Sequence, residues 1–510
     1  MKRLSKKLLH DPAYTLPPDV AYHEIPDHVP ETVLQFGEGN FLRGFADWFF
    51  TKLNAEKRFT GRVVVVQPLR EGRVDLLNEQ DGLSTLILRG YKDGRQTEET
   101  VIISCVSRGI NPYAEWDKYA ALAESPDLRY IISNTTEAGI VYNPADRLTD
   151  TPPDSFPGKV LVFLYKRYIH FNGSRDRGMV IIPCELTDKN GELLKSVLLK
   201  LCGAWSLPRD FTDWIEQCNI FVNTLVDRTV PGYPADAAGA TIRRLQYEDK
   251  LLNVAEMFHL WILETEKDLK GDLPLEEAGF NVRWVTDMSP YRTRKVRILN
   301  GAHTASVPAA YLSGIATVDE MMNDPIMGRF VRDIIRNEIV PVIDDGDGEA
   351  ASFAEDVIRR FENPLIKHYL TSILLNCGVK YRVRVLPSLI GYIEKYGSPP
   401  QKLTFSFAAL IALYRGGATE GNAPRLSGAF KLADDPGVLA FMRGLWEEYG
   451  NKAGCASVIT DLALKNENIW GCDLSRYAGL REKAAFYLDA IIRNGIESAV
   501  KNLVYGDRDE

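Results

Sequence analysis

The sequence predicts an α/β N-terminal domain built on a mostly parallel sheet, followed by a mostly α-helical C-terminal domain. Two observations predict it. Short, fully apolar runs alternate with helical patterns over the first half of the 510 residues, as expected of parallel strands covered on both faces. After about residue 286 helical spacing dominates and strand-like runs become scarce. The expected bounds are an irregular arm over 1–30, the α/β domain over 31–285 and the helical domain over 286–510.

The elements follow in chain order. "MKRLSKKLLHDPAYTLPP" is basic and lacks the apolar core of a signal peptide; with the proline-rich 12–32 it reads as irregular or extended. "TVLQFG" (32–37) reads as a strand and "FLRGFADWFFTKLNAE" (41–56) as one amphipathic helix. "RVVVVQP" (62–68) carries four consecutive valines, whose β-branching favours a strand. Further strands are expected at 100–110, 128–136, 177–186 and 218–227, and helices at 119–126, 159–171 and 192–205. In the second half, helical spacing recurs at 293–314, 325–343, 352–363, 364–377, 405–417, 437–450 and 483–495.

Composition narrows the function classes. A net charge of −8 opposes association with nucleic acid or anionic membranes. No apolar run approaches the roughly 20 residues of a membrane helix. The seven cysteines are widely spaced with no C-x-x-C, which argues against a disulfide framework and for a reducing, cytoplasmic setting. Only seven histidines are present, with no H-x-x-x-H, so no metal site is expected. Oligomeric state is not legible.

"LQFGEGNFLRGF" (34–45) sits between a strand and a helix, and a second strand begins about 20 residues later. That is the context of a dinucleotide fingerprint, in which glycines let the backbone approach a pyrophosphate at a helix N-terminus. Leu42 takes the third glycine position, and the second strand ends in Gln67-Pro68 without an acid to hold a ribose 2′-OH. NAD against NADP is therefore left open, since Arg70 or Arg73 could meet a 2′-phosphate. A plain strand–loop–helix turn is the competing reading. A second strand end, "IISNTTEAGI" (131–140), presents Ser133, Asn134, Thr135, Thr136 and Glu137, either toward a cofactor in a Rossmann-type sheet or as an N-capped turn.

The densest polar cluster outside the strands is "YRTRKVRILNGAHTASV" (291–307). On one α-helix, His303 falls about 80° and Asn300 about 140° around from Lys295, so the three share half of its surface. A lysine in the first turn feels the positive end of the helix dipole, and burial also disfavours its charge; both suit a general base near neutral pH. A cationic surface helix with a buried Asn–His pair is the alternative.

Taken in order, "QFGEGNFLRGF", "SNTTEAG", "NTLVDRTVPGYP" (223–234), "KVRILNGAHTASVPAAYLSG" and "VKYRVRVLPSL" (379–389) resemble the mannitol dehydrogenase family of long-chain polyol and sugar-acid dehydrogenases. The likeness runs from about 31 to 500, and "LQFGEGNFLRGF" and "IIPCELTDKNGELL" are similar to the branch acting on altronate and tagaturonate. It implies a zinc-independent oxidoreductase with NAD on the Rossmann-type domain and a small sugar acid as partner. Lys295, Asn300 and His303 match the family's K-x4-N-x-x-H pattern, implying a lysine base with two groups holding the reacting oxygen. Phe36, Gly37, Gly39, Asn40, Phe41, Gln67, Ser133, Asn134 and Thr135 are implied to face the cofactor, and Asp227 and Arg228 to support it or the domain junction. One departure stands out: where mannitol enzymes carry Cys-Asp-Asn, this chain has Cys184-Glu185-Leu186, without the oxygen-polarising asparagine. A sugar acid also calls for a cation; the candidates are Lys367, His368, Lys380, Arg382 and Arg384.

Overall fold

The structure is a computed structural model that describes residues 2–92, 95–135, 139–235, 237–344, 346, 348–416 and 432–506. Thr136 and Glu137 of the second polar strand end lie outside the described residues. The chain divides into two compact units, Met1–Met288 and Ser289–Glu510.

The first unit is organised by a six-stranded sheet: β1 (Glu31–Phe36), β2 (Arg62–Val66), β3 (Val106–Ile110), β4 (Tyr130–Ser133), β5 (Val180–Pro183) and β6 (Ile220–Phe221). All neighbours are parallel. Their spatial order is 3-2-1-4-5-6, that of a doubly wound dinucleotide-binding sheet. Alternate side chains serve two cores. Val33, Val63, Val65 and Ile132 pack on one face, while Leu34, Val64, Val66 and Ile131 pack on the other. This two-sided burial is why the strands read as unbroken apolar runs. Phe36 at the end of β1 pairs with Val66 of β2 and Ser133 of β4. The strand order reverses between β1 and β4, which opens a crevice at their carboxyl ends.

Three expected elements divide. The run 41–56 is two helices, α1 (Asn40–Arg43) and α2 (Ala46–Ala55). They part because the Gly44 carbonyl accepts from Arg228 Nη1 at 2.9 Å, and Phe45 leaves helical geometry at φ −132°, ψ −86°. The run 100–110 is the end of one strand (Arg95–Ile103) and the whole of β3, in different sheets. At the crossing, the Ser104 and Cys105 amides donate to Thr51 Oγ1. The run 218–227 is β6 followed by Asn223–Asp227, antiparallel to Leu260–Glu264.

A second layer of strands was not expected. Ser84–Lys92 and Arg95–Ile103 form an antiparallel hairpin, extended by Asn253–Glu256 and Val20–Ala21. The arm is not irregular throughout: Lys2–Arg3 pairs with Tyr247–Glu248, and Lys6–Leu9 is helical with Ser5 as its N-cap.

The second unit is helical around one hydrophobic core. Its first stretch, 289–312, is not uniformly α: Ser289–Arg294 is α, Lys295–Asn300 is π, and Gly301–Leu312 is α again. A second π stretch is Ile334–Ile339. The expected helix 364–377 shrinks to Leu370–Leu374, because Asn376 takes a left-handed conformation before Cys377–Arg384 starts. Among the described residues no helix is long and apolar enough to cross a membrane.

Candidate functional site

In the first unit the fingerprint turn closes over the crevice end of β1. Gly37 has φ +117°, and a Cβ there would stand 3.0 Å from the Asn134 carbonyl oxygen. Glycine thus serves two needs at once, a left-handed backbone and close approach to β4. Gly39 differs: a Cβ built on it meets nothing within 4 Å. The turn presents open space on the side a ligand backbone would use.

The side chains around this turn point largely into the protein. Arg43 is buried and donates to the Glu38 carbonyl at 3.2 Å, to Asn40 Oδ1 at 2.7 Å and to the Leu251 carbonyl. Phe36 belongs to the core, edge-on to Tyr119 and Phe156, and Phe41 stacks on Phe45 with ring centroids 4.9 Å apart. Gln67 does not reach out as a ribose ligand; its amide donates to the carbonyls of Leu69 and Arg70 at 2.8 and 2.9 Å. Arg70 lies over the Tyr113 ring, and the Arg73 amide donates to Glu38 Oε1.

The polar end of β4 is likewise tied down, by a residue the sequence reading passed over. Glu185, after β5, is buried and accepts from Ser133 Oγ (3.0 Å), the Thr135 amide (2.9 Å) and Thr135 Oγ1 (2.9 Å). Burial pushes its carboxyl above the usual range against these lowering hydrogen bonds. Asn134 Nδ2 donates to the Cys184 carbonyl at 2.7 Å. The signal was the Cys184-Glu185-Leu186 departure itself. Arg228 is buried over Trp48 and donates to the carbonyls of Gly44 and Glu256, bracing the α1–α2 break; Asp227 is buried at the end of its strand.

In the second unit, Lys295 and Asn300 bound the π stretch and His303 follows in the next turn. Lys295 is not in a first turn, because the helical run begins six residues earlier; the dipole argument, which holds only within about one turn, therefore does not apply. The π geometry alters the angular argument too. Its i→i+5 bonds close over five residues, so Asn300 is brought back toward the face of Lys295 instead of lying about 140° away. Arg297 within the stretch donates to Ser388 Oγ and the Pro387 carbonyl, and Thr304 Oγ1 donates to the Asn300 carbonyl.

Lys295 and His303 are each only 8% exposed, and Asn300 is half-buried. The His303 ring stacks on Phe361 at 3.9 Å and stands edge-on to His368 at 5.2 Å. Its Nε2 is buried and has no partner in the protein. Burial, with the charges of His368, Arg360 and Arg384, holds its imidazole well below the ordinary value, so the ring is neutral at pH 7. Of the cation candidates, Lys367 and Arg382 are exposed, and Lys380 Nζ donates to the Ile373 carbonyl at 3.1 Å. His368 and Arg384 act on His303; Arg360, which acts with them, was not among the candidates. No group of three or more His, Cys, Asp or Glu suited to a metal ion occurs among the described residues.

The family model "Mannitol dehydrogenase Rossmann domain" matches residues 31–277, and "Mannitol dehydrogenase C-terminal domain" matches 287–492. The altronate oxidoreductase of Bacillus subtilis (strain 168) is 45% identical over 473 residues, covering 92% of this chain and 95% of its own. That of Pectobacterium atrosepticum is 43% identical, covering 92% and 96%. Two solved structures share the fold: Pseudomonas fluorescens mannitol 2-dehydrogenase in ternary complex with NAD and D-mannitol (TM-score 0.76, 21% identity, 99% of each chain), and a substrate-free D-sorbitol dehydrogenase (TM-score 0.78, 20% identity, 98% of this chain and 100% of that one).

Proposed function

This chain belongs to the mannitol dehydrogenase family, and on that premise we propose that it is an NAD-dependent oxidoreductase interconverting D-altronate and D-tagaturonate, as a step in hexuronate breakdown. The observation that carries the reading is identity above two fifths with altronate oxidoreductases along nearly the full length of both chains. The first unit is the cofactor domain and the second the acid–base and substrate domain. All seven cysteines are free, which supports a reducing, cytoplasmic setting.

The residues present fit a dinucleotide. Gly37 lets the turn fold against β4, and Gly39 leaves its outer side open. The backbone of Gly37 to Asn40 and the carboxyl ends of β1 and β4 hold the cofactor, while Glu185, Arg43 and Arg228 hold that backbone in shape. When bound, NAD accepts the hydrogen of the carbinol carbon with its electron pair.

The remaining chemistry belongs to the second unit. Lys295 Nζ takes the hydroxyl proton of altronate as the carbon–oxygen bond becomes a carbonyl, and returns it in the reverse direction. The Asn300 amide donates to the same oxygen. His303 is neutral, so it neither competes with Lys295 for the proton nor repels it. Its open Nε2 is the remaining polar group at the oxygen.

NADH consumption with tagaturonate, fructuronate and fructose tests the reading. We expect tagaturonate to give the highest kcat/KM. Preference for fructuronate would move the enzyme to the mannonate reaction, and preference for fructose would refute the sugar-acid reading. Lys295→Ala is expected to lower turnover about 10³-fold, within the range of general acid–base contributions, with NADH affinity retained. Unchanged turnover would remove Lys295 from the chemistry.

A further inference from the structure

Resting on the NAD reading, we propose that Glu38, inside the glycine turn, is the acid that takes the adenosine ribose 2′-OH, and that its carboxylate is what turns NADP away.

A dinucleotide-binding sheet ordinarily carries this acid at the end of its second strand. Here that end cannot serve. Gln67 follows β2 directly, and its amide is spent on the Leu69 and Arg70 carbonyls. Pro68 and Leu69 come next and have no polar side chain. A carboxylate nonetheless stands at this place, brought from the neighbouring strand. Phe36 ends β1 opposite Val66 of β2, and the Gly37 amide donates to the Val66 carbonyl at 3.0 Å. Glu38 is the next residue. Gly72 shows where its side chain lies: a Cβ there would collide with Gln67 Cδ and Oε1 and stand 2.5 Å from Glu38 Oε1. The two side chains thus lie together against the loop that follows β2, and the missing Cβ at 72 is what lets that loop close on them.

The loop is held from both ends. The Arg73 amide donates to Glu38 Oε1 at 3.2 Å. The Tyr113 hydroxyl accepts from Lys159 Nζ at 3.0 Å and donates to the Pro68 carbonyl at 3.3 Å. Arg70 lies over the Tyr113 ring at 4.8 Å, with Asp154 Oδ1 4.0 Å from its Nη2. One of the two arginines able to meet a 2′-phosphate is therefore engaged with an aromatic face and an acid.

Glu38 is half-buried. Burial pushes its carboxyl above the usual range, so the donors within the protein, the Arg73 amide among them, do not replace the water it has lost. A carboxylate can accept about four hydrogen bonds, which leaves capacity for a ligand. A ribose 2′-OH is a neutral donor and makes a charge-assisted hydrogen bond there, which favours the ionised form. A 2′-phosphate offers only acceptors at pH 7 and sets like charge against the carboxylate.

The test titrates NADH, NADPH and the 2′-deoxyadenosine analogue of NADH by nucleotide fluorescence, without substrate, and thermal melts report that each variant is folded. The wild type is expected to bind NADH at least about 100-fold tighter than NADPH, and about tenfold tighter than the 2′-deoxy analogue. Glu38→Gln keeps an acceptor for the Arg73 amide and loses the charge. It should weaken NADH about tenfold, leave the 2′-deoxy analogue unchanged and lower the preference over NADPH at least tenfold. Glu38→Asp keeps the charge and should keep discriminating against NADPH. An unchanged NADH-to-NADPH ratio in Glu38→Gln, equal losses for NADH and its 2′-deoxy analogue, or the same loss of discrimination in Glu38→Asp would overturn the assignment. A wild-type protein that prefers NADPH would instead overturn the NAD reading, and that result is read before any variant is made.

Discussion

The fingerprint turn and the Lys295 stretch carry the two conspicuous motifs of this chain, and they treat their polar groups in opposite ways. Around the turn, Arg43, Gln67, Ser133, Asn134, Thr135 and Glu185 donate and accept among themselves and with nearby backbone. What remains for a ligand there is mainly main chain. Around Lys295, His303 is buried with Nε2 unpartnered. The difference teaches that a cofactor turn uses side chains to fix a backbone, whereas an acid–base site keeps side-chain capacity in reserve for the substrate.

Gln35 Oε1, Asn253 Oδ1, Arg228 Nη2 and Asp47 Oδ1 are exceptions near the turn, buried without a partner, and the contrast can be broken at the last of them. Asp47, on α2, accepts from Gln35 Nε2 at 3.3 Å, but its Oδ1 is buried without a partner, and burial pushes its carboxyl up to about 7. A carboxyl raised on folding binds more protons folded than unfolded, so stability falls as pH rises from about 4 to 7. Asp47→Asn should therefore stabilise at pH 8, by at most about 4 kcal/mol, and have no effect below pH 4. Thermal melts at the two pH values check this; an equal shift at both would mean that folding does not raise the Asp47 carboxyl.

The two glycines sharpen it further. Gly37→Ala meets both a positive φ and the Asn134 carbonyl, and should cost about 3 kcal/mol in denaturant unfolding. Gly39→Ala, at φ −68° with open space before it, should cost less than about 1 kcal/mol yet weaken NADH binding at least tenfold. Unaltered NADH affinity would show that the open side of the turn is not where the cofactor's backbone runs.

Glu185→Ala removes the acceptor of three donors and should cost about 2 kcal/mol. Its effect on kcat should be smaller than its effect on the NADH Kd, because it shapes the cofactor's crevice and touches no reacting atom. The reverse pattern in steady-state kinetics would make Glu185 part of the chemistry.

The six parallel strands were legible because their burial on both faces erases any alternation, as in the valines of β2. The hairpin 84–103 was not, since its outer half mixes polar residues into the strand pattern and its inner half merges into the apolar residues of β3. A chain that steps from one sheet to another at Ser104–Cys105 leaves no local mark, because both sides of the step are buried. Lys295, Asn300 and His303 were legible as a spacing, but the π stretch was not, because nothing in "KVRILN" departs from an α pattern. Glu185 and Arg360 were passed over for one physical reason: each acts on residues 50 or more positions away, and only tertiary structure sets those distances.

The π stretch has a consequence for how this site can vary. A π turn accommodates one residue more than an α turn in the same hydrogen-bonded span. Replacing side chains at Val296 to Leu299 would alter packing and leave the count unchanged. Removing a single residue there would restore α geometry and leave the helix beyond it facing much as before, because the five-residue span of the π turn becomes a four-residue α span. Closing the same six residues as α, with the count unchanged, would instead turn the helix beyond them by about 100° and carry His303 away from its lysine. The site is thus fixed by the backbone hydrogen bonding of this turn as well as by residue identity.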